Sequence, residues 1–203
     1  MTVKLICVGR LKEKFYGDAC AEFKKRISRF ADVNIIEVSD ERAPEQLSPA
    51  EMEQVKRAEG ERILAKVAPG DYLIAMDLKG EQLTSPEMAS RLQGIMNSGG
   101  SRIDFVIGGS LGLSYEVLQR ADLRLCFGKP TFSHQIFRIM LLEQIYRCFK
   151  IINNEPYHKS SSYAFFSFSF QKKREQKRSK RKRKAQYFYY EQETGKREEP
   201  NFN

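Results

Sequence analysis

Five times along this chain a short apolar, β-branched run gives way to a stretch with helical spacing. That alternation restricts the fold more than any other feature. VKLICV at 3–8 reads as a strand ending at Gly9, and Ala19, Phe23, Ile27 and Phe30 then recur at helical intervals across 16–30. VNIIEV at 33–38 is a second strand. Ser48-Pro49-Ala50-Glu51 is a strong helix start, with Ser at the N-cap, Pro next and Glu closing a capping box, and that helix runs to about Val67. YLIAMD at 72–77 is the third strand, and Thr84-Ser85-Pro86-Glu87 opens a helix with the same grammar that closes at Ser98-Gly99-Gly100. IDFVI at 103–107 is the fourth strand and runs into Gly108-Gly109-Ser110-Leu111-Gly112. Ser114 caps a short helix, LRLCF at 123–127 is the fifth strand, and 134–150 is a final apolar helix. Strands alternating with helices predict an α/β fold: a mostly parallel sheet with helices on both faces. Ligands bind such sheets at the carboxyl ends of the strands. The loops 9–15, 76–84, 108–113 and 128–134 are therefore the places to look for function.

The charge is unevenly spread. The 203 residues carry a net +9. Residues 160–203 hold 12 Lys/Arg against 5 Asp/Glu, which leaves 1–159 with a net of only +2. The chain therefore divides into a globular body, 1–159, and a basic, aromatic, low-complexity extension, 160–203. That extension has no periodicity and is expected to be disordered in isolation. Two readings of it stand: RNA binding through phosphate contacts and aromatic stacking, or an adventitious segment encoded by pyrimidine-rich and then purine-rich DNA. Cys7, Cys20, Cys126 and Cys148 form no CxxC pair, and three of them sit in apolar segments, as expected of reduced thiols in a cytoplasmic protein with no metal site. No apolar run approaches the roughly 18 residues of a membrane span.

Two loops carry candidate chemistry. The glycines of 108–112 follow a strand and precede a helix, where backbone can approach a ligand and helix-start N–H groups can hold an anion; a tight structural turn is an equal reading. A branched side chain at Gly108 is expected to block that approach. GGSxG is not the dinucleotide fingerprint GxGxxG, and it follows the fourth strand rather than the first. In the second loop, Phe127 to His134, Gly and Pro fix the backbone and two aromatics can enclose a flat ring. His134, at the start of the last helix, reads as a hydrogen-bonded neighbour of the cap. In that helix Glu143 and Arg147 can pair at a spacing of four. Arg147, Lys150, Tyr157, His158 and Lys159 form a cluster suited to a phosphate or an electron-rich base. Hydrolase and kinase motifs are absent from the sequence.

Taken together, IGGSLGL at 107–113, FGKPTFSHQ at 127–135, RIMLLEQIYRCFKI at 138–151 and NEPYHK at 154–159 resemble the RlmH family. These are SPOUT-class methyltransferases of large-subunit ribosomal RNA. VKLICVGRLKEKFY at 3–16 and EQVKRAEGERILAKV at 53–67 fit as well, so the resemblance covers 1–159. It implies a C-terminal deep trefoil knot, a homodimer, and S-adenosyl-L-methionine as cofactor. It further implies methylation at N3 of a pseudouridine in a 23S rRNA stem-loop within the ribosome. Carried over by position, the cofactor contacts are Met76, Gly108, Phe127, Gly128, Lys129, Pro130, Thr131 and Phe132. The catalytic candidates are Arg147, Tyr157 and His158. Met76 stands where the family usually has Leu, Ser133 where it usually has Pro, and the extension has no counterpart. The competing expectations are a non-enzymatic ribosome- or RNA-binding protein on the same fold, and an unrelated nucleotide-binding α/β protein.

Overall fold

In the computed structural model, residues 1–42, 44 and 46–157 are described. His158 and the expected extension 160–203 lie outside the described residues. Ten elements alternate along the chain: β1 Thr2–Val8, α1 Lys14–Ile27, β2 Asp32–Val38, α2 Pro49–Leu64, β3 Tyr72–Glu81, α3 Ser85–Asn97, β4 Arg102–Ile107, α4 Tyr115–Arg120, β5 Leu123–Leu125 and α5 His134–Ile152. The strands form one parallel sheet in the order β2-β1-β4-β3-β5. Both expected capping boxes are present. The Ser48 hydroxyl accepts from the Glu51 N–H, the Thr84 hydroxyl accepts from the Glu87 N–H, and each glutamate reaches back to its cap.

Alternation within the strands places side chains on two faces. Val3, Leu5 and Cys7 of β1 join Ile103, Phe105 and Ile107 of β4 in the larger core, beneath α1, α3 and α5. Ile6 and Val8 point the other way and meet Ile63 of α2 and Val117 of α4 in a smaller one. The two central strands, β1 and β4, are buried along most of their length, as a sheet covered on both faces requires.

Two departures from the sequence reading shape the carboxyl edge of the sheet. β5 stops at Leu125 rather than continuing to Phe127. β3 continues to Glu81, but Met76 and Glu81 both oppose Leu125, so 77–80 bulge away from the sheet. Gly80 makes this possible. A Cβ there would lie 2.7 Å from the backbone of Arg124 and Leu125.

Charge is buried at both ends of the strands. At the amino ends, Lys4 Nζ lies 2.7 Å from Asp71 and 2.9 Å from Asp104, while Arg102 also pairs with Asp71. Burial pushes the Asp104 carboxyl up to about 6, with Lys4 opposing. Burial alone would raise Asp71 too, but Lys4 and Arg102 outweigh it and hold that carboxyl below its usual range. At the carboxyl ends, the fully buried Arg138 of α5 donates from Nη2 to the Val8 and Gly9 carbonyls at 3.1 and 2.6 Å, and from Nη1 to Glu37 at 2.6 Å.

Two stability measurements follow. Arg138→Met strands two carbonyls and the Glu37 carboxylate, and should cost about 3 kcal/mol, the lower end for a broken buried pair. In a domain of this size that lowers Tm by about 6–12 °C in a thermal melt. Folded Asp104 holds its proton to about pH 6, whereas an unfolded aspartate releases it near 3.9. Its contribution is thus full below about pH 4 and lost as pH rises through 6. Asp104→Asn removes that dependence, so the Tm of the variant minus that of the wild type should rise between pH 4 and 7. A flat or falling difference would contradict the assignment.

Candidate active site

The carboxyl ends of β3, β4 and β5 enclose a cavity of about 380 Å³. Three segments build it, and each is shaped by local chemistry.

Beyond β4, Gly112 N–H donates to the Gly109 carbonyl at 3.1 Å, and Gly112 adopts φ +87°. A Cβ on Gly108 would lie 2.8 Å from the Gly112 carbonyl, and one on Gly109 would lie 2.6 Å from Glu59 Oε2. The glycine at 108 is thus required by the tight turn itself, while at 109 a side chain would press on the end of Glu59. A branched residue at 108 would deform the loop before it met any ligand.

Beyond Met76, the bulge 77–80 brings Asp77 and Leu78 onto the cavity wall. Arg124 Nε donates to Asp77 at 2.9 Å, so this carboxylate is held from the neighbouring strand.

Beyond β5, Cys126 N–H donates to the Glu81 carbonyl at 2.9 Å, and the chain then turns away over the sheet. The Cys126 thiol donates to the Gly128 carbonyl at 3.0 Å and Gly128 takes φ +144°, which favours glycine. Phe127 and Phe132 flank Phe137 of α5, with ring centroids 5.1 and 6.4 Å apart. Ser133, where proline is usual in the resembling family, N-caps α5 by accepting from Ile136 N–H.

Seven of the eight expected cofactor residues share this cavity: Met76, Gly108, Phe127, Gly128, Pro130, Thr131 and Phe132. Lys129 belongs to the same loop but does not line it. The sequence reading missed Asp77, Cys126 and His134 on the wall, and the anchoring Arg138. His134 was read as a hydrogen-bonded cap neighbour. Its ring makes no hydrogen bond among the described residues, and the capping is done by the Ser133 hydroxyl. Burial and the Arg138 cation hold the His134 ring below its usual pKa, with Asp40 opposing.

The catalytic candidates are elsewhere. Arg147 pairs with Glu143 and lies 4.8 Å from the Tyr157 ring, whose hydroxyl donates to Glu143 at 3.1 Å. Arg147 follows His134 by 13 residues on the same helix, which is about 20 Å at 1.5 Å per residue. One chain therefore does not bring Arg147 and Tyr157 to the cavity. His158 lies outside the described residues. Among the described residues no three His, Cys, Asp or Glu side chains converge as a metal site, and no helix is long and apolar enough to cross a membrane.

The family model described as predicted SPOUT methyltransferase matches residues 1–158. The protein named Ribosomal RNA large subunit methyltransferase H from Carboxydothermus hydrogenoformans is 54% identical over 159 residues, covering 78% of this chain and all of the relative. Proteins of the same name from Ruminiclostridium cellulolyticum and Alkaliphilus oremlandii are 51% and 54% identical over the same coverage. Among solved structures, a probable methylase family protein from Haemophilus influenzae aligns with a TM-score of 0.46 and 14% identity, over 93% of this chain and 88% of that one. With a family model spanning the body and relatives matched over their whole length, the chain belongs to the RlmH family of SPOUT methyltransferases.

Proposed function

We propose that this chain methylates large-subunit ribosomal RNA, using S-adenosyl-L-methionine to modify N3 of a pseudouridine in a 23S rRNA stem-loop of the ribosome. In this reading it works in the cytoplasm as a homodimer. The observation that carries the proposal is the cavity at the carboxyl ends of β3, β4 and β5. Its volume of about 380 Å³ falls within the ~300–1,000 Å³ typical of small-molecule sites. Phe127, Phe132 and Phe137 offer aromatic surface for a flat base. When bound, the cofactor supplies a methyl group already activated by its sulfonium. The protein's task is orientation and support of the attacking nitrogen.

That nitrogen belongs to an imide and must lose its proton. A cation beside the flanking carbonyls favours the resulting anion. Arg147 fills this role, with Tyr157 positioning the base and His158 assisting proton removal. The 20 Å separation along α5 requires that Arg147 and Tyr157 come from a second copy. Ile136, Met140, Glu143 and Arg147 lie along one incompletely buried stripe of α5. Two α5 helices packed antiparallel about a twofold axis near Met140–Glu143 would set Arg147 of each copy beside the first turn of the other. Exposed Leu78, Phe132 and Ile136 form an apolar rim at that place. The insertion of β4 between β1 and β3, with β5 beyond β3, supports a knotted C-terminal path. The body 1–159 carries this activity.

Calorimetric titration with S-adenosylmethionine tests the cavity, and methylation of isolated ribosomes tests the reaction. Phe132 is exposed and lines the cavity, so Phe132→Ala should leave Tm near wild type. Cofactor affinity should fall about 3- to 10-fold, matching an aromatic contact of about 0.5–1.5 kcal/mol. Unchanged affinity would remove this loop from the site. The second variant addresses Arg147. An exposed ion pair is worth about 0–1 kcal/mol, so Arg147→Lys matters little if pairing with Glu143 is its only role. If its planar fork supports an imide anion, lysine does not replace it. Single-turnover methylation should then fall at least tenfold, about 1.4 kcal/mol, with dimer and cofactor affinity retained. Wild-type turnover in a folded dimer would return Arg147 to a structural role.

A further inference from the structure

Three titratable side chains face the cavity among the described residues: Asp77, Cys126 and His134. Two are committed. Asp77 is paired with Arg124, and the Cys126 thiol donates to Gly128. His134 alone is free to exchange a proton with something in the cavity.

Its position is fixed from several sides. It opens α5 directly after the Ser133 cap, and Arg138 anchors the same helix one turn later to the carboxyl end of β1. Nε2 lies 3.6 Å from where a Cβ on Gly9 would sit, and Asp40 Cγ lies 3.9 Å from the same point. The ring thus packs against the end of β1. The charged groups around it are Arg138 on its own helix, Asp40 beyond β2 and Lys12 beyond β1, while Glu37 is taken up by Arg138 and the Leu11 N–H. Half-buried and without a hydrogen bond, the ring stays neutral at pH 7 because burial and Arg138 disfavour its protonation.

We propose that His134 is a catalytic residue, the acceptor of the proton that the target imide nitrogen must lose, with His158 confined to assisting that transfer. The inference rests on the cavity being the methyl-transfer site. The proton passes from nitrogen to an imidazole nitrogen, and the electron pair left behind forms the N–CH₃ bond. The C–S pair returns to sulfur as a neutral thioether, so one positive charge leaves sulfur as one appears on imidazolium. Water then takes the proton from the ring. An anchored, neutral imidazole suits this step, since a protonated ring accepts nothing.

The chain contains two histidines, so the His134 ring signal in a proton NMR spectrum is identified by its loss in His134→Gln. In the wild type that signal should titrate below the ordinary 6.5 and shift on saturation with S-adenosylmethionine. In single-turnover methylation of ribosomes, His134→Gln should be slower by at least about 100-fold, with cofactor affinity within threefold of wild type. The acidic limb of its pH–rate profile should be lost. A ring signal unmoved by the cofactor overturns the inference without any activity measurement. An active wild type with an equally active His134→Gln overturns the proton step and leaves the function intact. A wild type inactive on every ribosomal substrate overturns the function and this step with it.

Discussion

The guanidinium of Arg138 decides where the last helix begins, and the site follows from that. It is wholly buried and donates to the final carbonyls of β1 and to Glu37 of β2. α5 is thereby tied to one side of the sheet, while the strand before it, β5, lies at the opposite edge. Between β5 and β1 stand β3 and β4, so the connecting loop must cross three strand spacings, about 14 Å at 4.7–4.9 Å each. It has eight residues, 126–133, and runs over the carboxyl ends of the two strands whose own exits are the bulge at 77–80 and the glycine turn at 108–112. The cavity is the space left beneath that crossing. A buried cation with three partners is a weak source of net stability against a well-packed apolar residue, but it is intolerant of losing a partner. That intolerance fixes the crossing.

The two ends of the sheet use buried charge differently. At the amino ends, Lys4, Arg102, Asp71 and Asp104 close on one another, and two cations face two carboxylates. At the carboxyl ends, Arg138 satisfies backbone carbonyls and Glu37, and the neighbouring His134 has no hydrogen bond among the described residues. Charge is closed where the fold needs only rigidity, and an uncommitted group remains where a ligand can enter.

The sheet, the helices and both capping boxes were legible because each rests on short-range grammar: β-branched runs, Ser-Pro-x-Glu and Thr-Ser-Pro-Glu starts, and glycine stops. Most of the cavity lining was legible through the family resemblance. The rest was not, and for one reason. Arg138 looks like any cation on a helix until the path of β1 and β2 is known. The bulge at 77–80 depends on Gly80 meeting β5, a strand 40 residues later. At Gly108 a ligand loop and a tight structural turn stood as equal readings, and only the structure shows that the missing side chain makes room for Gly112. His134 was read as a hydrogen-bonded neighbour of the cap, whereas its ring makes no hydrogen bond among the described residues. Each of these is a long-range or three-dimensional fact with no periodic signature.

Helix α5 acts as a ruler. Its first residue lines the cavity and Arg147 stands about 20 Å further along, roughly three and a half turns. A rigid helix of 19 residues does not bend enough to bring both to one substrate. If the transfer uses an imidazole at one end and a guanidinium at the other, two copies of the helix must meet head to tail. The protein then needs no separate domain to complete its site. Twofold symmetry supplies from the far end of one α5 what the near end of the other lacks. The body is nearly neutral, with a net charge of +2 over 1–159. Such a body gains little from bulk attraction to phosphates, so selection of an RNA target would fall on the shape of the groove that the pair creates.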